Sequence, residues 1–195
     1  RVTHDAHVRA LIRNRARPES LEFWRSTFAE SWPEARIECL RSTTSLLLEQ
    51  PATQALLEYA RRNGTTLNRV LLTAWFRALR RIGGVDDLVV GTAISGRDLP
   101  IADVERIFGC FVTALPIRAR LGGESFLEDH RRVSDAFEAA CGHAEIPIDE
   151  IVRAIPRHPG VPMPGKSLFF SFMDFGAFPE LPTHEVRLDW EEMTT

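Results

Sequence analysis

Between Leu88 and Arg118 the chain reads LVVGTAISGRDLPIADVERIFGCFVTALPIR, two apolar runs separated by a loop that glycine and proline punctuate. Val89, Val90, Phe111, Val112, Leu115 and Ile117 carry enough apolar surface to bury two strands, expected over residues 88–92 and 111–117. Gly91, Gly96 and Gly109 permit tight backbone approach or positive φ, while Pro100 and Pro116 limit where helix can run. A short helical turn is expected between the strands. The stretch therefore demands a buried sheet with an ordered loop at one end, and the rest of the chain has to cover it.

Helical patterns on both sides supply that cover. Pro18-Glu19-Ser20 starts a helix expected to run to about Ser31, with Leu21, Trp24 and Phe28 on one face. A second helix is expected over residues 53–62, stopping at Asn63-Gly64. Thr65 or Thr66 caps a third, in which Leu67, Val70, Leu71, Ala74, Ala78, Leu79 and Ile82 form an apolar stripe that ends at Gly83-Gly84. Ser125 and Glu128 fit a capping box for a helix over residues 126–141, and a shorter helix is expected over 147–154. Further strands are expected over residues 37–49, around Leu46-Leu47-Leu48, over 168–175, and over 185–191 (EVRLDWE), where Val186, Leu188 and Trp190 share a face. Helices interspersed with strands indicate an α/β sandwich.

Composition narrows the function classes. The chain has 195 residues, 44% hydrophobic and 26% charged, with a net charge of −3. That length suits one domain or one lobe of a larger one. Its basic residues are scattered, which argues against a nucleic-acid groove. Cys39, Cys110 and Cys141 are dispersed and lack CxxC spacing, as expected of reduced thiols in a cytoplasmic setting. No run reaches the roughly 18 apolar residues of a membrane span. The N-terminal stretch has no signal-peptide core. Nucleotide-binding loops of the GxxxxGK[ST] or GxGxxG type are absent, as is a G-x-S-x-G nucleophile elbow.

Four motifs carry a resemblance to the condensation domains of nonribosomal peptide synthetases, within the chloramphenicol-acetyltransferase-like superfamily. The family's VVGTPxxGR becomes VVGTAISGR, from Val89 to Arg97, and its IGxFVNTLxLR becomes IFGCFVTALPIR, from Ile107 to Arg118. HQDxPFE appears as HAEIPID, from His143 to Asp149, and PLFQVMF as SLFFSFMDF, from Ser167 to Phe175. FWRSTF, from Phe23 to Phe28, resembles the YWRxxL helix that follows the family's N-terminal lobe. The order and spacing agree throughout, so the resemblance covers most of the chain. It implies the fold class α/β, a two-layer sandwich forming the C-terminal half of a condensation-type fold, with residues 1–195 as that lobe.

The resemblance also sets expectations about chemistry. The complete domain joins an acyl thioester to an amine, both delivered on phosphopantetheine arms of peptidyl or acyl carrier proteins. No cofactor is expected to bind this lobe directly, and neither nucleic acid nor membrane is an expected partner. The family's HHxxxDG motif, which bears the histidine placed to orient or deprotonate the amine, is absent. His4-Asp5-Ala6-His7 lacks its Asp-Gly, and as a metal pair it has no third and fourth ligand. No catalytic residue and no metal ligand is therefore expected here, and the lobe alone is expected to be inactive without the N-terminal lobe. Ser95, Thr113 and Asp174 are the candidates for the substrate tunnel. Thr113 stands where the family usually has Asn, and Asp174 is an unusual carboxylate in an aromatic strand. Each can face a ligand or satisfy local backbone groups. Arg97, Arg118 and His143 are expected to hold the motifs in place. A domain that lost catalysis and docks tailoring enzymes, or an epimerization-type domain, remains an alternative. A cut fragment, one half of a split enzyme and part of a chain continuing both ways are all compatible with the sequence.

Overall fold

The structure, a computed structural model, describes residues 8–9, 17–33, 45–97, 104–107, 109–123, 125–161 and 168–173. Helices α1 (Pro18–Thr27), α2 (Gln50–Arg62) and α3 (Leu67–Gly83) precede strand β1 (Asp87–Ile94). A 3-10 turn (Val104–Arg106) leads to β2 (Thr113–Arg120), then α4 (Phe126–Gly142), α5 (Ile148–Ala154) and the short strand β3 (Phe169–Phe170). The strands form one mixed sheet in the order β2-β1-β3. β1 and β2 are antiparallel, with Val90 opposite Ile117 and Thr92 opposite Leu115. β3 runs parallel to β1, its Phe169 opposite Gly91.

Local chemistry explains the helix limits. Thr66 caps α3, its hydroxyl accepting from the Arg69 amide at 3.3 Å, and Gly84 ends the helix at φ +65° with its N–H donating to the Arg80 carbonyl. The Ser125 hydroxyl likewise accepts from the Glu128 amide at 3.1 Å at the start of α4. Asp129 fixes the turn between β2 and α4. Its fully buried carboxylate accepts from the Gly122 and Gly123 amides at 3.0 and 3.2 Å and from Arg77 at 2.5 Å. Leu72 and Phe76 of α3 and Val133 of α4 share one core with Leu88, Val90, Leu115 and Ile117 of the sheet and Trp24 and Phe28 of the α1 segment. Each such side chain contributes about 1.5–3 kcal/mol when fully buried.

Several expected boundaries move. α1 stops at Thr27 rather than near Ser31, and α2 begins at Gln50, with Pro51 in its first turn. The second strand begins at Thr113 and runs on to Arg120. Of residues 168–173, only Phe169–Phe170 pair as strand. Residues 45–49 form no strand, and Leu46 and Leu47 are 83% and 92% exposed. The buried face of α3 also differs from the expected stripe. Val70, Leu72, Thr73, Phe76 and Leu79 are buried, whereas Ala74 is exposed and Ile82 is 66% exposed. The helix carries apolar residues on two faces, and periodicity alone cannot tell which one meets the sheet. The expected strand over 185–191, His4, His7 and Cys39 lie outside the described residues.

Candidate functional site

The loop between β1 and β2 is built around one guanidinium. Arg97 donates through Nη1 to the carbonyls of Val104 at 2.5 Å and Ile107 at 3.2 Å, and through Nη2 to that of Gly109 at 3.2 Å. Its charge also lies 4.2 Å from the centre of the Phe111 ring. Gly96, at φ +66°, brings the start of the loop against its end: a Cβ there would lie 1.9 Å from the Phe111 carbonyl oxygen. Only glycine satisfies both the torsion and the contact. The loop's carbonyls thus converge on Arg97, while Ser95, Cys110 and Val112 are exposed.

Ser95 and Thr113 lie at this end of the sheet. Ser95 follows the last residue of β1, and its hydroxyl accepts from the Arg97 amide at 3.3 Å. Thr113, half-buried, opens β2 directly opposite Ile94. By the alternation of a pleated strand, Thr113 shares a face with Leu115 and, across the pair, with Thr92. Thr92 is fully buried, and its hydroxyl has no hydrogen-bond partner among the described residues. Sequence reasoning passed over Thr92. The available signal was a hydroxyl inside the apolar run Val89-Val90-Gly91-Thr92, and its lack of a partner is visible only in the fold. Asp174 lies outside the described residues.

Arg118 and His143 are not at this end; both converge on α1. Arg118 grips Asp87 with two bonds, Nε to Oδ1 at 3.1 Å and Nη2 to Oδ2 at 2.8 Å. It also donates to the carbonyls of Thr27, Glu30 and Ser31 at 3.0, 2.9 and 3.3 Å, which fastens the C-terminal end of α1 to the sheet. Arg120 adds a 3.1 Å bond to Asp87. Burial by itself raises the Asp87 carboxyl, but the hydrogen bonds and charges of Arg118 and Arg120 outweigh it and hold the group below its ordinary value.

His143 meets the other part of α1. The Ser20 hydroxyl donates to the Glu145 carboxylate, so its oxygen is left to accept from His143 Nδ1 at 3.0 Å. The imidazole stacks on Phe23 at 4.2 Å, and the His143 carbonyl accepts from Trp24 Nε1 at 3.1 Å. The ring therefore bonds α1. Among the described residues, no cluster of His, Cys, Asp or Glu could hold a metal ion, and no helix is long and apolar enough to cross a membrane.

Residues 8–164 match the Condensation domain family. The chain belongs to that family. Among its relatives, a plipastatin synthase of Bacillus subtilis (strain 168) is 39% identical over 109 residues, which cover 55% of this chain and 4% of that protein. A linear gramicidin synthase of Brevibacillus parabrevis is 32% identical over 145 residues, covering 69% of this chain and 3% of the synthase. The fold matches the first condensation domain of the CDA synthetase with a TM-score of 0.68 at 24% identity, over 79% of this chain and 36% of that one. It also matches the X-domain complex with OxyB from teicoplanin biosynthesis, with a TM-score of 0.59 at 25% identity, over 75% of this chain and 34% of that one. The expected α/β condensation-type fold is therefore found, and the chain spans about a third of the solved condensation domains it resembles.

Proposed function

We propose that this chain is the C-terminal lobe of a nonribosomal peptide synthetase condensation domain. The observation that carries this reading is the pairing of a family match over residues 8–164 with coverage of only 36% of a solved condensation domain. The sequence, which has the family's later motifs and no HHxxxDG, supports it further. In the complete domain an amine on one carrier protein attacks the carbonyl of an acyl thioester on another. The C–N bond forms, the C–S bond breaks, and the amine proton ends on the departing thiol. Both substrates arrive on phosphopantetheine, so this lobe binds no cofactor of its own. Its part is positional: a tunnel wall near Ser95, Thr113 and Asp174, held by the Arg97 loop, and a share of the carrier-docking surface.

The test is reconstitution. The chain alone, the chain joined to its upstream lobe, and the same pair with the second motif histidine replaced by alanine are each given loaded donor and acceptor carriers. Amide product is expected only from the intact pair. Turnover by the chain alone would refute the assignment as a lobe without the base.

A second reading has two observations in its favour. Thr113 replaces the family's usual Asn, and one fold match is an X-domain found in complex with OxyB. A condensation-like platform that docks another enzyme fits both. An upstream lobe with a broken histidine motif, with retained binding of a tailoring enzyme, would favour this reading over catalysis.

A further inference from the structure

Among the described residues, Thr65 Oγ1, Asn68 Oδ1 and Thr92 Oγ1 are buried side-chain oxygens without a hydrogen-bond partner. The topology brings them to one place. Thr65, Asn68, Leu72, Phe76 and Leu79 recur at intervals of three and four residues, which makes them one row leading into and along α3. Leu72, Phe76 and Leu79 of that row are buried in the core shared with Leu88 and Val90. Thr92 continues the Leu88 and Val90 face of β1 by alternation. The opposite face is held by α1 through Arg118. From Asn68 to Gly83 the helix rises about 23 Å; Gly84, Val85 and Asp86 turn the chain, and β1 returns about 23 Å from Asp87 to Ile94. Asn68 therefore stands level with Ile94, and Thr92 lies one pleat below it. This is the end of the sheet that carries Thr113 and Ser95.

We propose that Thr65, Asn68 and Thr92 form a site for a secondary amide of the carrier-borne substrates, an assignment that rests on the condensation-lobe reading. A buried polar atom without a partner destabilises a fold, and native proteins rarely keep one unless water or a ligand serves it. Here such atoms gather at the end of the sheet where the substrate tunnel is placed, and Thr92 is fully buried. Ile94 and Thr113, half-buried on the same face, lie beyond it toward the end of the sheet. The chemistry of the set selects the ligand. Asn68 Oδ1 accepts an N–H, and each threonine hydroxyl can donate to a carbonyl. A secondary amide carries one group of each kind. A phosphate or carboxylate would bring a charge that these uncharged atoms cannot neutralise. The pantetheine arm and a peptidyl donor both contain secondary amides, so separate probes are needed to tell them apart.

Urea unfolding of the 195-residue chain, with and without pantetheine or N-acetylglycine N-methylamide, tests the site. The isosteric Thr92→Val removes the unpartnered hydroxyl and is expected to raise the unfolding midpoint by about 0.5 M. At about tenfold its dissociation constant, at least one probe is expected to raise the wild-type midpoint by about 0.7 M. The same probe should leave Thr92→Val unmoved and act again on Thr92→Ser, which keeps a hydroxyl. A response to pantetheine alone assigns the site to the arm, and a response to the capped peptide extends it to a peptidyl donor. A Thr92→Val midpoint that falls or stays put would overturn the proposal, because water or another part of the chain would then already serve the hydroxyl. Equal responses of wild type and Thr92→Val would do the same, as would no response to either probe up to about 50 mM. Catalysis does not enter this measurement, so failure of the lobe assignment is read separately, in the reconstitution assay.

Discussion

Replacing Arg118 by alanine is the most severe single test of how this fold is tied together. The guanidinium is nearly buried, at 11% side-chain exposure, and so is the Asp87 carboxylate, at 8%. Removing the arginine takes away both of its bonds to Asp87 and three bonds to the carbonyls at the end of α1. Glu30 and Ser31 are exposed, so water can serve their carbonyls and those losses are small. The carboxylate is the costly part. Breaking a buried ion pair from one side costs about 3–5 kcal/mol, because the remaining charge stays buried. Arg120 still reaches Asp87 at 3.1 Å, though from a largely exposed position, which places the expected loss near the lower figure, about 3 kcal/mol. With a urea slope of about 2 kcal/mol per molar, the unfolding midpoint should fall by about 1.5 M. Asp87→Asn combined with Arg118→Met should recover much of the loss, since it leaves no buried charge. The single variant should also lose part of the acid sensitivity that Asp87 contributes, since Arg120 remains beside it. Asp87 is held below its unfolded value, so its contribution is full above about pH 4 and disappears as the pH falls toward the folded value. A midpoint shift under about 0.5 M for Arg118→Ala would refute the claim that this pair joins α1 to the sheet.

Three further outcomes are expected. Gly96→Ala forces both a left-handed torsion and a backbone clash with Phe111, and should cost about 1–3 kcal/mol in thermal unfolding; an unchanged melting temperature would mean the loop is not held as described. His130, bonded to Thr73 at 3.0 Å between α3 and α4, is kept from protonating first by burial and second by the Arg69 charge. The unfolded chain therefore takes up its proton first, and stability should decline as the pH falls below about 6.5; His130→Gln should flatten that decline, and an identical pH profile for wild type and variant would count against it. Ser95→Trp, at an exposed position, should leave urea unfolding unchanged and slow amide formation in the complete domain; normal turnover would remove Ser95 from the tunnel.

Much of the local structure was legible before the fold was known. Thr66, Gly84 and Ser125 act within four residues of their own positions, so capping chemistry sufficed to place the ends of α3 and the start of α4. The motif order from Val89 to Asp149 pointed to the family, and with it the fold class, because several motifs stand in the family's order and spacing. The tertiary structure decided what depends on partners distant in sequence. Arg118 meets carbonyls about 90 residues earlier, His143 meets Ser20, and the buried face of α3 is whichever one the sheet covers. Local periodicity carries no information about such contacts, since closing a long loop is favourable only once many distant groups are buried together. For the same reason the sequence showed leucines at 46–48 and a threonine at 92. Only the fold showed the leucines exposed and the Thr92 hydroxyl without a partner among the described residues.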